Sequence, residues 1–196
     1  MTISRQLSKL TGKLALLLIV ASLHSCGSHA PRQFAGTITD GTMNTVTVRA
    51  LADGKTITFS TMDADKTAAE GMLVGAPVLV DYEGGLQKSP VATKVVTDVT
   101  YTRAIGSWTI PDPIAPKARM GVKIMIEGKA ASINMASLTY TSWALQGEAN
   151  KIVLHGQSLG NRQTIDVTDR ASIWKKDGRM FLSIEGTDIV YEKARN

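Results

Sequence analysis

The stretch Gly128-Lys-Ala-Ala-Ser-Ile-Asn-Met-Ala-Ser-Leu-Thr-Tyr-Thr-Ser-Trp-Ala-Leu-Gln-Gly147 decides how this chain folds. Ala131, Ile133 and Met135 alternate with Ser132 and Asn134, the period of two that puts successive side chains on opposite faces of a strand. Tyr140 to Gln146 predicts a second strand, returned by Glu148-Ala149-Asn150. The pattern continues on both sides. Upstream, Val122, Ile124 and Ile126 oppose Lys123 and Glu127, and Glu127-Gly128-Lys129 turns the chain. Pro111, Pro113 and Pro116 interrupt the ladder before that, because proline cannot donate to it. Downstream, Ile152 and Leu154 open a strand in which Gly156 and Gly160 predict bending or close approach. Ile165, Val167, Ala171 and Ile173 then alternate around Asp166 and Thr168. Lys176-Asp177-Gly178 is a hairpin signal, and Met180, Leu182 and Ile184 follow it. Thr187 to Lys193 ends the series. Counted from Gly106, about eight strands are expected, the number at which a barrel interior just fits side chains or one small ligand.

A second strand series precedes this one. Phe34 to Ile38, Thr45 to Ala50 and Lys55 to Ser60 read as three strands, the last two joined at Asp53-Gly54. Asp63 to Glu70 has helical composition and ends at Gly71. Leu73 to Tyr82 and Val91 to Val99 supply a fourth and a fifth strand. Three strands, a short helix and two strands resemble an OB-fold. That fold often binds single-stranded nucleic acid by aromatic stacking over a basic groove. Here only Phe34, Phe59 and Tyr82 are available, and core packing is their ordinary use.

The N-terminus has a different character. Met1 to Lys13 is basic and polar, and Leu14 to Leu23 is an apolar run too short to span a bilayer as a helix. Leu23, Ser25 and Cys26 match the lipobox of bacterial lipoproteins, with His24 where a small residue is usual. The resemblance implies cleavage before Cys26, a diacylglycerol thioether on its sulfur and an acyl chain on the new N-terminus. Several chains anchor stably where one does not. Gly27, in place of the Asp that retains lipoproteins at the inner membrane, implies the outer membrane. The lack of acidic residues after the cysteine implies its periplasmic leaflet.

Three of the 22 basic residues, Arg5, Lys9 and Lys13, fall in the leader, so 19 remain against 17 acidic ones. So balanced a chain has no electrostatic reason to prefer nucleic acid. Cys26 is the single cysteine, which removes any internal disulfide or cysteine metal cage.

Gly106-Ser107-Trp108 at the head of the second series resembles the Gly-x-Trp signature of lipocalins, whose tryptophan plugs one end of the barrel. With the lipobox and the strand count, the chain resembles the bacterial lipocalin-like lipoproteins. In that family an arginine late in the barrel packs on the tryptophan; here only Arg195 could fill that place, and only if the last strand extends that far. The chain therefore reads as all-β, with two small antiparallel β-barrels in tandem. The parts are a signal peptide (1–25), a tether (26–32), an OB-fold-like domain (33–100) and an eight-stranded lipocalin-like barrel (103–196). The function implied is binding of a small hydrophobic ligand by the second barrel. The alternative is a filled barrel serving as scaffold or accessory subunit for an envelope protein partner.

No catalytic residue, metal site or further cofactor is expected. His155 lacks an orienting partner for a nucleophile, and one histidine without cysteine does not make a zinc site. Asp166 and Asp169 read as a solvated strand face. Met120, Met125, Met135 and Met180 read as core filler. Trp108, Trp143 and Trp174 carry the largest apolar surfaces and are the candidate ligand contacts.

Overall fold

Two strand series meet at a short helix. The computed structural model describes residues 32–87, 90–160 and 162–195; the expected signal peptide and the lipobox residues Leu23, Ser25 and Cys26 lie outside them. Val99–Ala104 (α1) is the one helix among the described residues. Asp98 starts it by accepting a hydrogen bond from Tyr101 N at 3.1 Å. The sequence predicts strand as far as Val99, because Val-Thr-Tyr-Thr is rich in β-branched side chains. The cap and the burial of Thr100, Tyr101 and Ala104 override that preference.

The helix expected over Asp63–Glu70 is not formed. Asp65 pairs with the neighbouring strand instead: its N–H bonds Thr93 O at 2.9 Å, and Val95 N–H bonds Asp65 O at 2.9 Å. The Asp65 carboxylate accepts from Thr67 N and Oγ1, at 2.9 and 2.7 Å. Such local bonds compete with a helix, and two turns are too few to repay nucleation.

The first barrel comprises β1 (Arg32–Gly41), β2 (Thr45–Ala50), β3 (Thr56–Ser60), β4 (Pro77–Glu83) and β5 (Val91–Thr97). It closes in the order β1-β2-β3-β5-β4, with β4 returning to β1 and β3 meeting β5 in parallel at Ser60 and Val91. This is the five-stranded arrangement of an OB-fold. β4 begins at Pro77 rather than Leu73, because Gly75 turns the chain with φ +88°. Ile38, Val46, Val48, Val80 and Val95 fill the interior. Phe34, Phe59 and Tyr82 pack in series among them, with ring centroids 5.3 and 5.4 Å apart.

The second barrel comprises β6 (Gly106–Pro111), β7 (Arg119–Ile124), β8 (Ala130–Ile133), β9 (Leu138–Leu145), β10 (Lys151–Gly160), β11 (Gln163–Lys176), β12 (Arg179–Ile184) and β13 (Val190–Lys193). The eight strands run β8-β7-β6-β13-β12-β11-β10-β9, each pair antiparallel. The two end strands nearly close the barrel. Trp143 N–H bonds Gly128 O and Tyr140 N–H bonds Ser132 Oγ, both at 2.8 Å. Asp177 and Gly178 both have positive φ, the geometry of the predicted tight hairpin. Gly156 sits at a register shift against β9, and a Cβ there would lie 2.3 Å from Thr139 O, which is the close approach its sequence position implies.

The described residues fall within one compact unit. One end of the second barrel faces α1: Asn150 N–H bonds Thr100 Oγ1 at 2.9 Å, and Glu127 N–H bonds the Tyr101 hydroxyl at 2.9 Å. Antiparallel reversal puts the proline-bearing loop 112–118 at the opposite end. Among the described residues no helix is long and apolar enough to cross a membrane.

Candidate functional site

The interior of the second barrel is occupied by its own side chains. Trp108, Tyr140, Ile152, Leu154, Leu182 and Tyr191 are essentially inaccessible to solvent. Amphipathic aromatics fill this space, and each polar tip has a partner, as burial demands. Trp108 Nε1–H donates to Ala104 O of α1 at 2.7 Å. Trp143 Nε1–H donates to Met125 O at 2.7 Å. The Tyr140 hydroxyl donates to the Asp169 carboxylate, and the Tyr191 hydroxyl lies 4.0 Å from Met135 Sδ. Burial, and after it the Asp169 carboxylate, push the Tyr140 hydroxyl far above the ordinary tyrosine range. The same two causes, in the same order, raise Tyr191.

Asp169 is thus not part of a solvated face. In β11 it shares parity with Ala171 and Ile173, which are buried, and it lies opposite the buried Leu154 of β10. The parity was present in the sequence. Asp166, of opposite parity, does face outward, where Gln157 donates to it at 3.2 Å.

The residue over Trp108 is Lys193, not Arg195. Its Nζ stands 5.3 Å from the indole centroid and donates to Arg103 O at 2.7 Å. Strand β13 ends at Lys193, so only that residue is in register with Trp108. Burial depresses the Lys193 pKa.

A half-open cleft of about 470 Å³ lies between the barrels. It is walled on one side by the outer face of β1 and β2 and on the other by β9 and the Glu127-Gly128 turn. Tyr101 of α1 forms its floor. The Tyr101 hydroxyl donates to Val74 O at 3.0 Å in the first barrel and accepts from Glu127 N in the second. Its ring packs on Trp143 with centroids 5.1 Å apart. Gly75 makes this approach possible, since a Cβ there would stand 2.3 Å from the Tyr101 hydroxyl oxygen. Arg103 fixes the same junction, with two bonds to the Glu70 carboxylate at 3.2 and 2.9 Å and one to Asn150 Oδ1 at 3.2 Å. The cleft is therefore held from several sides, and its volume falls in the range of small-molecule sites, which favour such junctions.

The three tryptophans separate by role. Trp108 is packed at the α1 end of the barrel. Trp143, 3 % exposed, joins the barrel interior to the cleft wall. Trp174 is 37 % exposed on the outside of β11 and stacks on Phe181 at 5.8 Å. The structure does not bring them together. Arg49, Tyr101 and Glu127, which line the cleft, carry no local sequence signal, because the site exists only once the barrels dock. His155 is exposed and pairs with Thr168 at 3.2 Å. Among the described residues no three His, Cys, Asp or Glu side chains gather as a metal site.

These features agree with what the chain is similar to. The lipocalin-like family model matches residues 100–194, which covers α1 and the second barrel through β13. A solved structure of a lipocalin-like protein from Bacteroides thetaiotaomicron VPI-5482 is 37% identical, covering 46% of this chain and 96% of that chain, with a TM-score of 0.40. A search of curated proteins gives no significant match. The second barrel is a lipocalin-like domain. That fold commonly binds small hydrophobic ligands and is typically non-enzymatic.

Proposed function

We propose that this protein is a lipid-anchored envelope protein that binds a small hydrophobic ligand without catalysing a reaction, and that the ligand lies in the cleft against Trp143. The observation behind this reading is the cleft itself: about 470 Å³ with Val74, Leu145 and the Trp143–Tyr101 pair around it. The filled interior of the second barrel favours a wall over a cup. The barrel then contributes one side of the site and the OB-fold-like barrel the other. Burying a ligand of this size against such walls is worth roughly 25 cal/mol per Å² of apolar surface removed from water, before the cost of ordering it.

Anchoring follows from Leu23, Ser25 and Cys26 in this reading, with the outer membrane facing the periplasm as the location. Cys26→Ala should release the protein from the membrane fraction; a variant still held there through its N-terminus would refute lipidation at that residue. For the ligand, gentle purification and native mass spectrometry should reveal a bound hydrophobic molecule. Ala144 is exposed on the cleft wall, so Ala144→Trp fills the site without entering either core. That variant should emerge ligand-free. An apo mass for the parent protein across several preparations, or equal loading of Ala144→Trp, would count against the cleft.

A further inference from the structure

Resting on that reading, we infer that the cleft selects an amphipathic ligand with an acidic head group, held by Arg49. Ile38 of β1 and Val48 of β2 are buried in the first barrel, so their neighbours Thr37 and Arg49 project from its outer face into the cleft. Thr37 and Arg49 stand directly opposite each other in the β1–β2 ladder, and antiparallel partners share a face. On its other side Arg49 stands opposite Thr56 of β3, which is also uncharged. Among the described residues no carboxylate pairs with Arg49. The acidic groups nearby are committed elsewhere: Asp53 to Lys55 at 2.8 Å and Glu127 to Lys129 at 3.0 Å.

Glu127 is the one other ionisable carboxylate or base on the cleft wall, and Lys129 offsets its charge. The Tyr101 hydroxyl has its proton and an acceptor position engaged by Val74 and Glu127, so it offers a ligand little. Polar recognition therefore falls to the Arg49 guanidinium, with the Thr37 hydroxyl beside it. A planar fork of donors matches a carboxylate, sulfonate or phosphate oxygen pair, and it does so more strongly than a neutral acceptor. The apolar body would lie across Trp143, Val74 and Leu145, at the opposite wall.

Two fluorescent probes with the same ring body test it. 1-Anilinonaphthalene-8-sulfonate carries an anionic group, and N-phenyl-1-naphthylamine lacks it. Each is titrated into the mature chain, residues 26–196, left unlipidated by Cys26→Ala, which contains every described element. The sulfonate should bind about tenfold more tightly, equivalent to 1.4 kcal/mol. Arg49→Gln should weaken the sulfonate about tenfold and so abolish the difference, and Arg49→Lys should retain part of it. Equal affinities for the two probes in the parent protein, or a preference that survives Arg49→Gln, would overturn the head-group assignment. If Ala144→Trp still blocks the neutral probe in that case, the cleft stands and only the role of Arg49 falls. If neither probe binds, or both bind Ala144→Trp normally, the cleft reading fails and the assignment fails with it.

Discussion

The two barrels solve the same packing problem with different side chains. The first closes a five-stranded sheet around valines, Ile38 and the Phe34–Phe59–Tyr82 series, a core held mainly by shape. The second nearly closes eight strands around Trp108, Tyr140, Trp143 and Tyr191, whose polar tips must each find a partner. Larger barrels enclose more volume, and here large amphipathic side chains take it up. The difference has a consequence for function. Two of those tips are tied to groups at the α1 end, Ala104 O and Met125 O, so the second core is coupled to the junction with the first barrel. The ligand site proposed above lies at that junction.

Removing a core aromatic should separate the barrels most sharply. Trp108→Ala deletes a buried indole, its bond to Ala104 and the support for Lys193, and should cost about 3–5 kcal/mol. Phe59→Ala should cost a similar amount but should leave the junction intact, since Phe59 has no polar tip. Urea unfolding measures both. A Trp108→Ala cost below about 1 kcal/mol would show that the indole is not the keystone of the second barrel.

A smaller contrast follows from the tyrosines. Tyr140→Phe leaves the inward Asp169 carboxylate without its donor and should cost about 1–3 kcal/mol, whereas Tyr82→Phe should be nearly neutral. The pH dependence sharpens the same point. Folding raises the Tyr140 pKa, so its contribution is complete below the unfolded value near 10 and is lost as pH climbs toward the folded one. Stability should fall above about pH 10, less steeply in Tyr140→Phe. Lys193 acts in the opposite sense, because its depressed folded pKa makes stability rise with pH between the folded and unfolded values. An alkaline slope unchanged by Tyr140→Phe would remove Tyr140 from the account.

The smallest effect belongs to the exposed link between the barrels. Arg103→Ala removes the bonds to Glu70 and Asn150 and should cost about 0.5–1 kcal/mol, as partly exposed pairs do. It should also loosen the coupling, seen as broadening of the thermal transition. A transition as sharp as the parent's would place the coupling wholly in Tyr101 and the packing around it.

Much of this architecture was legible in the residues. Period-two alternation located the strands of both barrels, and Asp177-Gly178 announced its hairpin. Trp108 marked the packed end of the second barrel. What was not legible depended on docking. The strand expected as far as Val99 stops at Thr97, because Asp98 caps a helix and Tyr101 is buried. Asp63–Glu70 looks helical until β5 offers its backbone to Asp65. Lys193 replaces Arg195 because the end of β13, rather than residue type, decides which cation reaches the indole. Asp169 reads as solvated beside Asp166, although its parity with Ala171 places it inside. Of the cleft only Trp143 was legible, as a candidate contact: Arg49, Tyr101 and Trp143 lie on three elements far apart in sequence.

In the proposed reading, ligand binds between the barrels and not within the second one. The three tryptophans make this measurable in one titration, since each indole N–H gives its own resonance in a proton–nitrogen NMR spectrum. On addition of N-phenyl-1-naphthylamine, the indole of Trp143 and the amides of Thr37, Val74 and Glu127 should shift, while the Trp108 indole stays fixed. Largest shifts at Tyr140, Leu182 and Tyr191, with Thr37 and Val74 unmoved, would contradict the claim and return the ligand to the barrel interior.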